Sequence, residues 1–573
     1  MRTPAFQLLL VSALLAPTAS AAFTVTGTFQ YVDRAFSFTG FTGAQPSLPI
    51  RFARVEVIDN VTNTVLASGE TSALGAISIA VPTNGTADIV VRCFARSDRF
   101  GSNRLRVTNG TTTYSVSSNV FSAWNLATNL DVGTVVGQKV FSGSYQGSPF
   151  NLLDQMVAGI DYVKSLGSGN PSQTLTLTWP NAGGSYATGL TAHISEDDGY
   201  DDMVILHEFG HVVHNHYSDS DSPGGSHSFG QSDQDPRLSF GEGFATYFAG
   251  AVRQFQGISD PAFYMDCNGT GGTGIGSVGL RMRHENGTPY SAQVAGEADE
   301  GAVFCTLWDL ADTTATPDGN VTDDDPVNGS FTFTGGISGE RAVWNSFIGP
   351  FKTAANTTIR DLWNGMFSPT NYGHQTEVEA VFNGWDMLFF EDALEPNNDS
   401  AAATPIVLSS TWSATRSLYY ATSPNGAPGD GDQDWYRFPA TAGSTIEIET
   451  RYPGAAADAN TYADTFVELR RPDGTLFLSS DAGGSGRNGK LTNIVLDLSG
   501  NWLAVVRTTH LYRKTGSYDL RVRLISGPAG GCNNLATSSE FGVGKAGSNG
   551  TPDESRLDED GRGNQEREAN VIG

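Results

Sequence analysis

Alternating polar and apolar residues mark the two ends of the chain. The alternation is clear at residues 54–58 (RVEVI), and it returns at residues 444–449 (STIEIE) and 518–522 (YDLRV). Alternation with a period of two is typical of strands that bury one face. We therefore expect an N-terminal β-sandwich over residues 22–137 and a second β-sandwich over residues 393–526.

The region from residue 138 to residue 392 carries helical periodicity instead. Apolar residues recur there three and four positions apart, which predicts helices over residues 152–166, 200–216, 243–255, 301–311 and 341–354. The same region contains all of the nine histidines except His510. The pattern predicts a multidomain chain in which an α+β domain is flanked in sequence by two β-sandwiches.

Composition narrows the function classes. The 573 residues include 34 Lys and Arg against 61 Asp and Glu, which gives a formal net charge of −27. Nucleic-acid binding needs a basic surface and binding to anionic membranes needs basic clusters, so this balance argues against both. After the N-terminal segment no apolar run reaches the length of about 18 residues that a spanning helix needs, so we expect no membrane span.

The N-terminal segment predicts export. Arg2 precedes an apolar stretch over residues 6–16, and small residues lead to a cleavage position after Ala21, with Ala22 as the alternative. This order is typical of a secretory signal peptide, so we expect residues 1–21 to be removed and the mature chain to be secreted. At the other end, residues 527–573 are rich in Gly, Ser and Asn and then in charge, a composition that predicts disorder.

Residues 207–211 (HEFGH) form an H-E-x-x-H motif. Residues four apart share one face of a helix, so His207 and His211 can bind one zinc ion. Glu208 then stands beside a water molecule that it can deprotonate, which is the role of a general base. The buried stripe of such a helix would consist of Ile205, Phe209, Val212 and Val213.

A catalytic zinc site needs a third protein ligand. The metzincin pattern requires Gly seven and His ten residues after the first His, but these positions hold His214 and Tyr217. Residues 239–247 (SFGEGFATY) instead resemble the E-G-x-A-[ST]-Y segment of gluzincin aminopeptidases, in which a Glu starts a helix after a polar loop. The resemblance implies a gluzincin-type zinc metallopeptidase with a zincin-like catalytic domain and Glu242 as the third zinc ligand.

Two departures from these families bear on the activity. The position one turn after Glu242, which is Asp in the thermolysin family, is Thr246, and the exopeptidase motif G-x-M-E-N is absent. The gap between His211 and Glu242 is also longer than in the aminopeptidases and contains a polar loop. We therefore expect an endopeptidase rather than an aminopeptidase.

Three further histidines follow the motif closely. His214, His216 and His227 could be alternative metal ligands. We expect His214 and His216 to be surface residues beyond the active face. For His227 we favour a solvated loop residue over one that approaches the cleft.

A second segment, residues 297–310, resembles a helix that follows the zinc site in fungalysin-like enzymes. Its Glu300 and Asp309 could orient a zinc-bound imidazole, but we favour ordinary positions on the helix surface. A histidine that those enzymes use to stabilise the oxyanion has no counterpart here. The residue for that role stays open among His284, Tyr290 and His374.

Three segments near the C-terminus occur in a recognisable order. They are residues 395–399 (EPNND), 434–438 (DWYRF) and 516–520 (GSYDL), and together they resemble the bacterial pre-peptidase C-terminal domain. The resemblance implies a β-sandwich appended to a secreted bacterial peptidase. Its loop places Asp430, Asp432 and Asp434 at alternate positions, a spacing of oxygen ligands that suits Ca²⁺, although a solvated acidic turn would give the same pattern.

The four cysteines allow three disulfide connectivities. We favour a Cys267–Cys305 bond because both residues fall in the predicted α+β domain. Cys93 and Cys532 fall in different predicted modules, and the sequence gives no basis for pairing them.

Three functions are compatible with these observations. The leading hypothesis is a secreted zinc endopeptidase that acts on protein or peptide substrates. The second is a secreted adhesion or carbohydrate-binding protein with an inactive peptidase core, and its sign would be the lack of bound zinc. The third is a zinc hydrolase that acts on a bond other than a peptide bond.

Overall fold

The computed structural model describes residues 23–138, 147–231, 234–268, 277–291, 294–312, 327, 332–354, 357–368, 370–389, 392–419, 432–455, 463–484, 486–508 and 515–528. The predicted signal peptide, nearly all of the predicted disordered tail, Asp430 and Cys532 lie outside the described residues. Within them the chain has seven α-helices and 27 strands, so the architecture is mixed and rich in β-structure, as expected for a multidomain β-rich protein.

The α-helices are α1 (Ser148–Ser165), α2 (Asp202–Tyr217), α3 (Pro236–Phe255), α4 (Glu300–Ala311), α5 (Gly339–Ile348), α6 (Ile359–Phe367) and α7 (Gln375–Gly384). Short 3₁₀ helices occupy Asp197–Tyr200, Phe351–Thr353 and Pro453–Ala455.

The strands of the N-terminal half are β1 (Phe23–Val32), β2 (Phe36–Ser37), β3 (Gly40–Phe41), β4 (Ser47–Pro49), β5 (Arg54–Asp59), β6 (Thr64–Glu70), β7 (Ala76–Val81), β8 (Thr86–Phe94), β9 (Arg96–Ser97), β10 (Leu105–Thr108), β11 (Ser115–Ser117), β12 (Phe121–Asn125), β13 (Leu130–Gly137), β14 (Leu175–Asn181), β15 (Tyr186–Thr188), β16 (Thr191–Ser195), β17 (Phe263–Asn268) and β18 (Ser277–Arg283). Those of the C-terminal part are β19 (Thr404–Pro405), β20 (Arg416–Leu418), β21 (Gln433–Ala440), β22 (Thr445–Arg451), β23 (Thr465–Arg470), β24 (Leu476–Ser480), β25 (Lys490–Val495), β26 (Gly500–Thr508) and β27 (Gly516–Ser526).

The five predicted helices all form, but some of their ends differ. Helix α3 begins at Pro236 rather than Gly243, because Asp235 caps it by accepting the Arg237 N–H at 2.9 Å and proline suits a first turn. Helix α5 ends at Ile348 rather than near residue 354, because Gly349 and Pro350 follow it. Helices α6 and α7 were not among the predicted elements.

The chain divides into two compact units. The first comprises residues 1–183, 188–212 and 265–280, and the second comprises residues 184–187, 213–264 and 281–573. The boundary between the two sets of residues falls inside helix α2.

Among its described residues the first unit includes three larger sheets built mostly from short strands, in addition to the two-stranded sheet β2-β3 and most of the two-stranded sheet β17-β18. One sheet has the order β13-β1-β4, with β7 also paired to β1, and another has the order β11-β8-β5-β6, with β12 also paired to β8. The alternation at residues 54–58 is confirmed, because β5 buries Val55 and Val57 and turns Arg54 and Glu56 outward. A third sheet includes the parallel strands β16, β14 and β10, and a 3₁₀ turn leads from β16 to helix α2.

The second unit combines helices α3–α7 with the C-terminal strands. Helix α3 packs along α4, and α4 also packs on α5 and α7. The C-terminal strands form two sheets with the orders β19-β21-β26-β23-β24 and β20-β27-β22-β25. The buried faces of both sheets meet in one core that includes Tyr436, Trp502, Ile448 and Tyr518.

The expected Cys267–Cys305 disulfide is wrong for this structure. Cys93, Cys267 and Cys305 are all buried free thiols. The Cys267 sulfur lies 3.6 Å from the Met265 sulfur, whereas the Cys305 sulfur lies 3.9 Å from the Arg283 carbonyl oxygen. Membership of one predicted domain was therefore too weak a reason to pair two cysteines.

None of the helices in the described ranges is both long enough and apolar enough to cross a lipid bilayer.

Candidate metal centre

The helix that carries the H-E-x-x-H motif is fixed at its first turn by Asp201. One carboxylate oxygen of Asp201 accepts the Met203 N–H at 3.1 Å and the Val204 N–H at 3.4 Å, while the other accepts the Cys267 N–H at 2.8 Å. Burial, together with the charges of Asp198 and Asp266, raises the pKa of Asp201 well above its ordinary value. The predicted buried stripe is confirmed, since Ile205, Phe209, Val212 and Val213 are all buried.

Within α2 the two motif histidines lie one turn apart on the same face. Their Nε2 atoms are 3.2 Å apart, and their rings meet edge to face with centroids separated by 4.9 Å. His207 is buried and His211 is half-buried. The side chain of Glu208, the next residue after His207, is fully buried.

The third member of the group comes from helix α3. One ligand atom each of His207, His211 and Glu242 lie within 4.8 Å of one another. Because α3 begins at Pro236, Glu242 lies in its second turn, so the expectation that this Glu starts the helix is wrong. The three predicted ligands are thus brought together into a group that could hold a metal ion.

The donor set and one distance fit zinc. Two imidazole nitrogens and one carboxylate oxygen are the protein ligands of a well-known class of catalytic zinc site. Two ligands bound tetrahedrally at about 2.0–2.1 Å from zinc are about 3.3 Å apart. The separation of 3.2 Å between the two Nε2 atoms is close to that value.

Helices α3 and α4 approach each other closely next to Glu242. A Cβ atom added to Gly243 would lie 2.5 Å from Val303 Cγ1 and 2.9 Å from the Glu300 carbonyl oxygen. The Glu300 carboxyl is buried, and its pKa is raised well above the ordinary value by burial and then by the charges of Glu242 and Asp299. The expectation that Glu300 lies on the helix surface is therefore wrong.

Asp309, on the same helix α4, is also buried rather than on the surface. Its carboxylate accepts a hydrogen bond from the Trp385 indole N–H at 2.6 Å. Apolar spacing predicted this helix, but it could not show that α3, α5 and α7 all pack against it.

Two of the three histidines that follow the motif differ from expectation. His214 is buried, its Nε2 lies 2.8 Å from the Asp219 carbonyl oxygen, and its ring contacts Phe244 and Phe347. The side chain of His227 is only 5% exposed, and its Nε2 lies 3.6 Å from a carboxylate oxygen of Glu242. His216 is half-buried.

The three candidates for oxyanion stabilisation occupy different surroundings. His284 is buried against Phe304 and Trp308, and burial followed by the charges of Arg253 and Arg283 lowers its pKa to about 3. Tyr290 packs near Phe229 with ring centroids 6.4 Å apart. His374 precedes helix α7 with an exposed side chain 3.7 Å from Glu377.

A second group that could hold a metal ion lies in the C-terminal strands. Glu395, Asp432 and Asp434 each place one carboxylate oxygen within 4.8 Å of the others. Burial and then the neighbouring Asp434 raise the pKa of Asp432 to about 8, and burial raises that of Asp434 to about 7. Two of the three residues expected at a calcium site are therefore present in the group, and Glu395 joins them.

No protein-family profile matches the chain, and no curated protein matches it either. Solved structures give local similarities. The pre-peptidase C-terminal domain of a collagenase from Bacillus anthracis is 18% identical, covers 21% of this chain and 94% of its own, and has a TM-score of 0.15. A periplasmic inhibitor of g-type lysozyme from Aeromonas hydrophila is 14% identical, covers 21% of this chain and 96% of its own, and also has a TM-score of 0.15.

A third similarity involves a 9R-lipoxygenase from Cyanothece. It is 14% identical, covers 28% of this chain and 25% of its own, and has a TM-score of 0.14. These three proteins have different functions, and similarities at this level do not establish a family for the chain.

Proposed function

We propose that the protein is a secreted bacterial zinc endopeptidase of the gluzincin type, with a zincin-like catalytic core and a pre-peptidase C-terminal domain. The observation that carries the proposal is the grouping of His207, His211 and Glu242, with ligand atoms within 4.8 Å of one another. The motif residues alone could lie on any amphipathic helix. A chance occurrence of the motif would not be expected to have a carboxylate from a second helix close to both imidazoles, as Glu242 is here.

In this mechanism the three ligands hold the ion and Glu208 moves the proton. These residues would hold a zinc ion, which would supply Lewis acidity and bring the pKa of the attacking water to about 7. Glu208 follows His207 directly in α2, and it takes a proton from the attacking water and then gives it to the leaving amine.

Two features of the C-terminal strands support the proposal of a pre-peptidase C-terminal domain: the location of the three matching sequence segments and the hydrogen bond between two of the strands that carry them. The three sequence segments that resemble the pre-peptidase C-terminal domain all contribute to its strands or their loops. Residues 434–438 lie in β21 and residues 516–520 lie in β27, and Tyr436 and Tyr518 in these strands share a hydrogen bond of 2.8 Å. We propose a Ca²⁺ ion, held by Glu395, Asp432 and Asp434, as the cation that balances their negative charge.

The test is hydrolysis of unfolded casein by the purified chain, with bound zinc measured in the same samples. We expect activity that a zinc chelator abolishes and that zinc restores. Removing a general base typically costs about 10²–10⁴ in rate, so we expect E208Q to lose at least about a hundredfold of kcat while it keeps its zinc.

The matched control is E196Q, because Glu196 is exposed and lies outside the motif helix. It makes the same chemical change and should keep full activity. If E208Q hydrolyses casein as fast as E196Q, the proposed mechanism is wrong. If the purified chain binds no zinc, a binding protein with an inactive peptidase core is the better explanation.

A further inference from the structure

The polar segment between α2 and α3 is held in a defined position. We call residues 218–231 the connecting loop. Ser218 donates its hydroxyl hydrogen to the Phe347 carbonyl oxygen at 2.5 Å, and the Asp221 N–H donates to the Thr357 hydroxyl at 3.1 Å. At the other end, Phe229 packs edge to face against Tyr264 and Phe304, with ring centroids 5.5 Å away in each case.

These anchors bring His227 against the third metal ligand. The Nε2 atom of His227 lies 3.6 Å from Oε2 of Glu242, and both side chains are nearly buried. The Nδ1 atom of His227 lies 3.1 Å from the Gly225 carbonyl oxygen. Because a carbonyl oxygen can only accept, Nδ1 carries the ring proton, and in the neutral ring Nε2 keeps its lone pair.

This arrangement is that of a metal-binding histidine. Histidines that ligate metals almost always donate the hydrogen of the other ring nitrogen to a carbonyl or carboxylate oxygen. A lone pair and a carboxylate oxygen that face each other repel, and either a proton on Nε2 or a cation shared by both groups removes this repulsion. Two ligands at tetrahedral zinc are about 3.3 Å apart, and the separation of 3.6 Å from Glu242 is close to that distance.

We propose that His227 is a fourth protein ligand of the ion held by His207, His211 and Glu242. The inference rests on the proposed function for the identity of the metal. His227 is within 3.6 Å of Glu242 but is not part of the mutually close group of three, so the connecting loop has to move His227 towards the two motif histidines to complete the set.

The consequence is a centre that is closed at rest. Zinc sites with four protein ligands are structural, whereas catalytic sites keep one position open. Withdrawal of His227 is then the step that admits a substrate, and the connecting loop regulates the site. Its anchors at Ser218 and Asp221 determine how far His227 can withdraw.

The test measures metal affinity rather than hydrolysis. The apo form of the full chain is titrated with zinc against a chromophoric chelator for the original protein and for H227S and H227C. Cysteine supplies a thiolate that binds zinc, while serine of the same shape does not. Loss of one supporting group at a zinc site typically costs about 10–100-fold in affinity, so we expect H227S to lose at least tenfold and H227C to recover most of it.

The control is H193A, which removes a histidine whose Nδ1 bonds to the Thr178 hydroxyl at 2.7 Å instead of facing a metal ligand. Its zinc affinity should not change. Loading the H227C variant with Co²⁺ should also produce the sulfur-to-cobalt charge-transfer band that reports thiolate ligation.

Three results would overturn the proposal. Zinc binding by H227S as tight as that of the original chain would remove any role for His227 in the centre. Equal weakening in H227S and H227C, with no charge-transfer band, would make His227 an electrostatic partner of Glu242. A large loss of casein hydrolysis in H227S at unchanged zinc affinity would place His227 on the substrate instead. Zinc affinity and the cobalt spectrum are measured without hydrolysis. A chain that binds zinc but does not hydrolyse casein would therefore contradict the proposed function without affecting the test of His227 as a ligand.

Discussion

The glycines on either side of Glu242 should respond in opposite directions to the same substitution. Both lie in helix α3, where glycine is a weak helix former. A Cβ atom at Gly241 would have Ser222 Cβ as its nearest neighbour, at 3.7 Å, which is ordinary van der Waals contact. A Cβ atom at Gly243 would lie 2.5 Å and 2.6 Å from two Val303 atoms and 2.9 Å from the Glu300 carbonyl oxygen.

The expected magnitudes follow from two opposing effects. Replacing glycine by alanine inside a helix stabilises it by about 0.5–1 kcal/mol. Overpacking a core costs about 1–3 kcal/mol, and Val303 is fully buried on a helix whose backbone is itself one of the contacts. G241A should therefore gain about 0.5–1 kcal/mol, while G243A should lose about 1 kcal/mol.

The assay is thermal unfolding of the full chain and both variants in metal-free buffer. For a domain of 150–250 residues, each kcal/mol corresponds to about 2–4 °C in Tm, and the shift becomes smaller as the cooperative unit becomes larger, so we expect shifts at or below the lower end of that range. We expect Tm to rise for G241A and to fall for G243A, and zinc affinity to fall in G243A because Glu242 is displaced with its neighbour. Shifts of the same sign and size in both variants would refute the argument from the contact between α3 and α4.

Two further predictions concern pH. The pKa values of Asp432, about 8, and Asp434, about 7, exceed those of the same residues in the unfolded chain. The folded chain therefore holds protons that unfolding releases, and its stability falls as pH rises from about 4 to 8. Ca²⁺ should raise Tm more at pH 8 than at pH 5, and a calcium effect independent of pH in thermal scans would contradict this. The pKa of His284, about 3, lies below that of the unfolded chain, so this residue makes stability fall as pH drops from about 6.5 towards 3. In denaturant titrations H284L should lose less stability than the original chain over that range, and parallel losses would contradict the burial of a neutral imidazole.

Local sequence patterns accounted for the elements and for part of the site. The spacing of Phe209, Val212 and Val213 defines one face of α2, and the interval between His207 and His211 is fixed by helix geometry. Both depend only on residues within a few turns. This is why the helices and the pairing of the two imidazoles were predictable.

The start of α3 shows a signal that was present but not used. Asp235 followed by Pro236 is the usual order of an N-cap and a first helical residue. The prediction relied on apolar periodicity, which begins later in that helix. Weighing the two signals together would have placed Glu242 inside the helix rather than at its start.

The surroundings of the metal group depend on contacts that are distant in sequence. The side chain of His227 is only 5% exposed, and its loop is anchored by the packing of Phe229 on Phe304 and by the hydrogen bond from Ser218 to Phe347. No local sequence pattern predicts either contact. The burial of Glu300 likewise depends on the packing of α3 along α4. The sequence alone therefore predicted solvent exposure for His227 and Glu300, because the residues that pack against them are distant in sequence.

The long connection between helices α2 and α3 would give an ion at the proposed centre a mechanical role. Glu242 is 31 positions after His211, so a cation bound to both would close the intervening segment as a cross-link does. A covalent bond that closes a loop of this length removes about 3–4 kcal/mol of entropy from the unfolded chain. Molecules that lose their ion would therefore open first at this segment, where exposed chain is most easily cut. Under the proposed function, metal-loaded molecules in a mixed population would digest the metal-free ones, and inactive copies would be removed in this way.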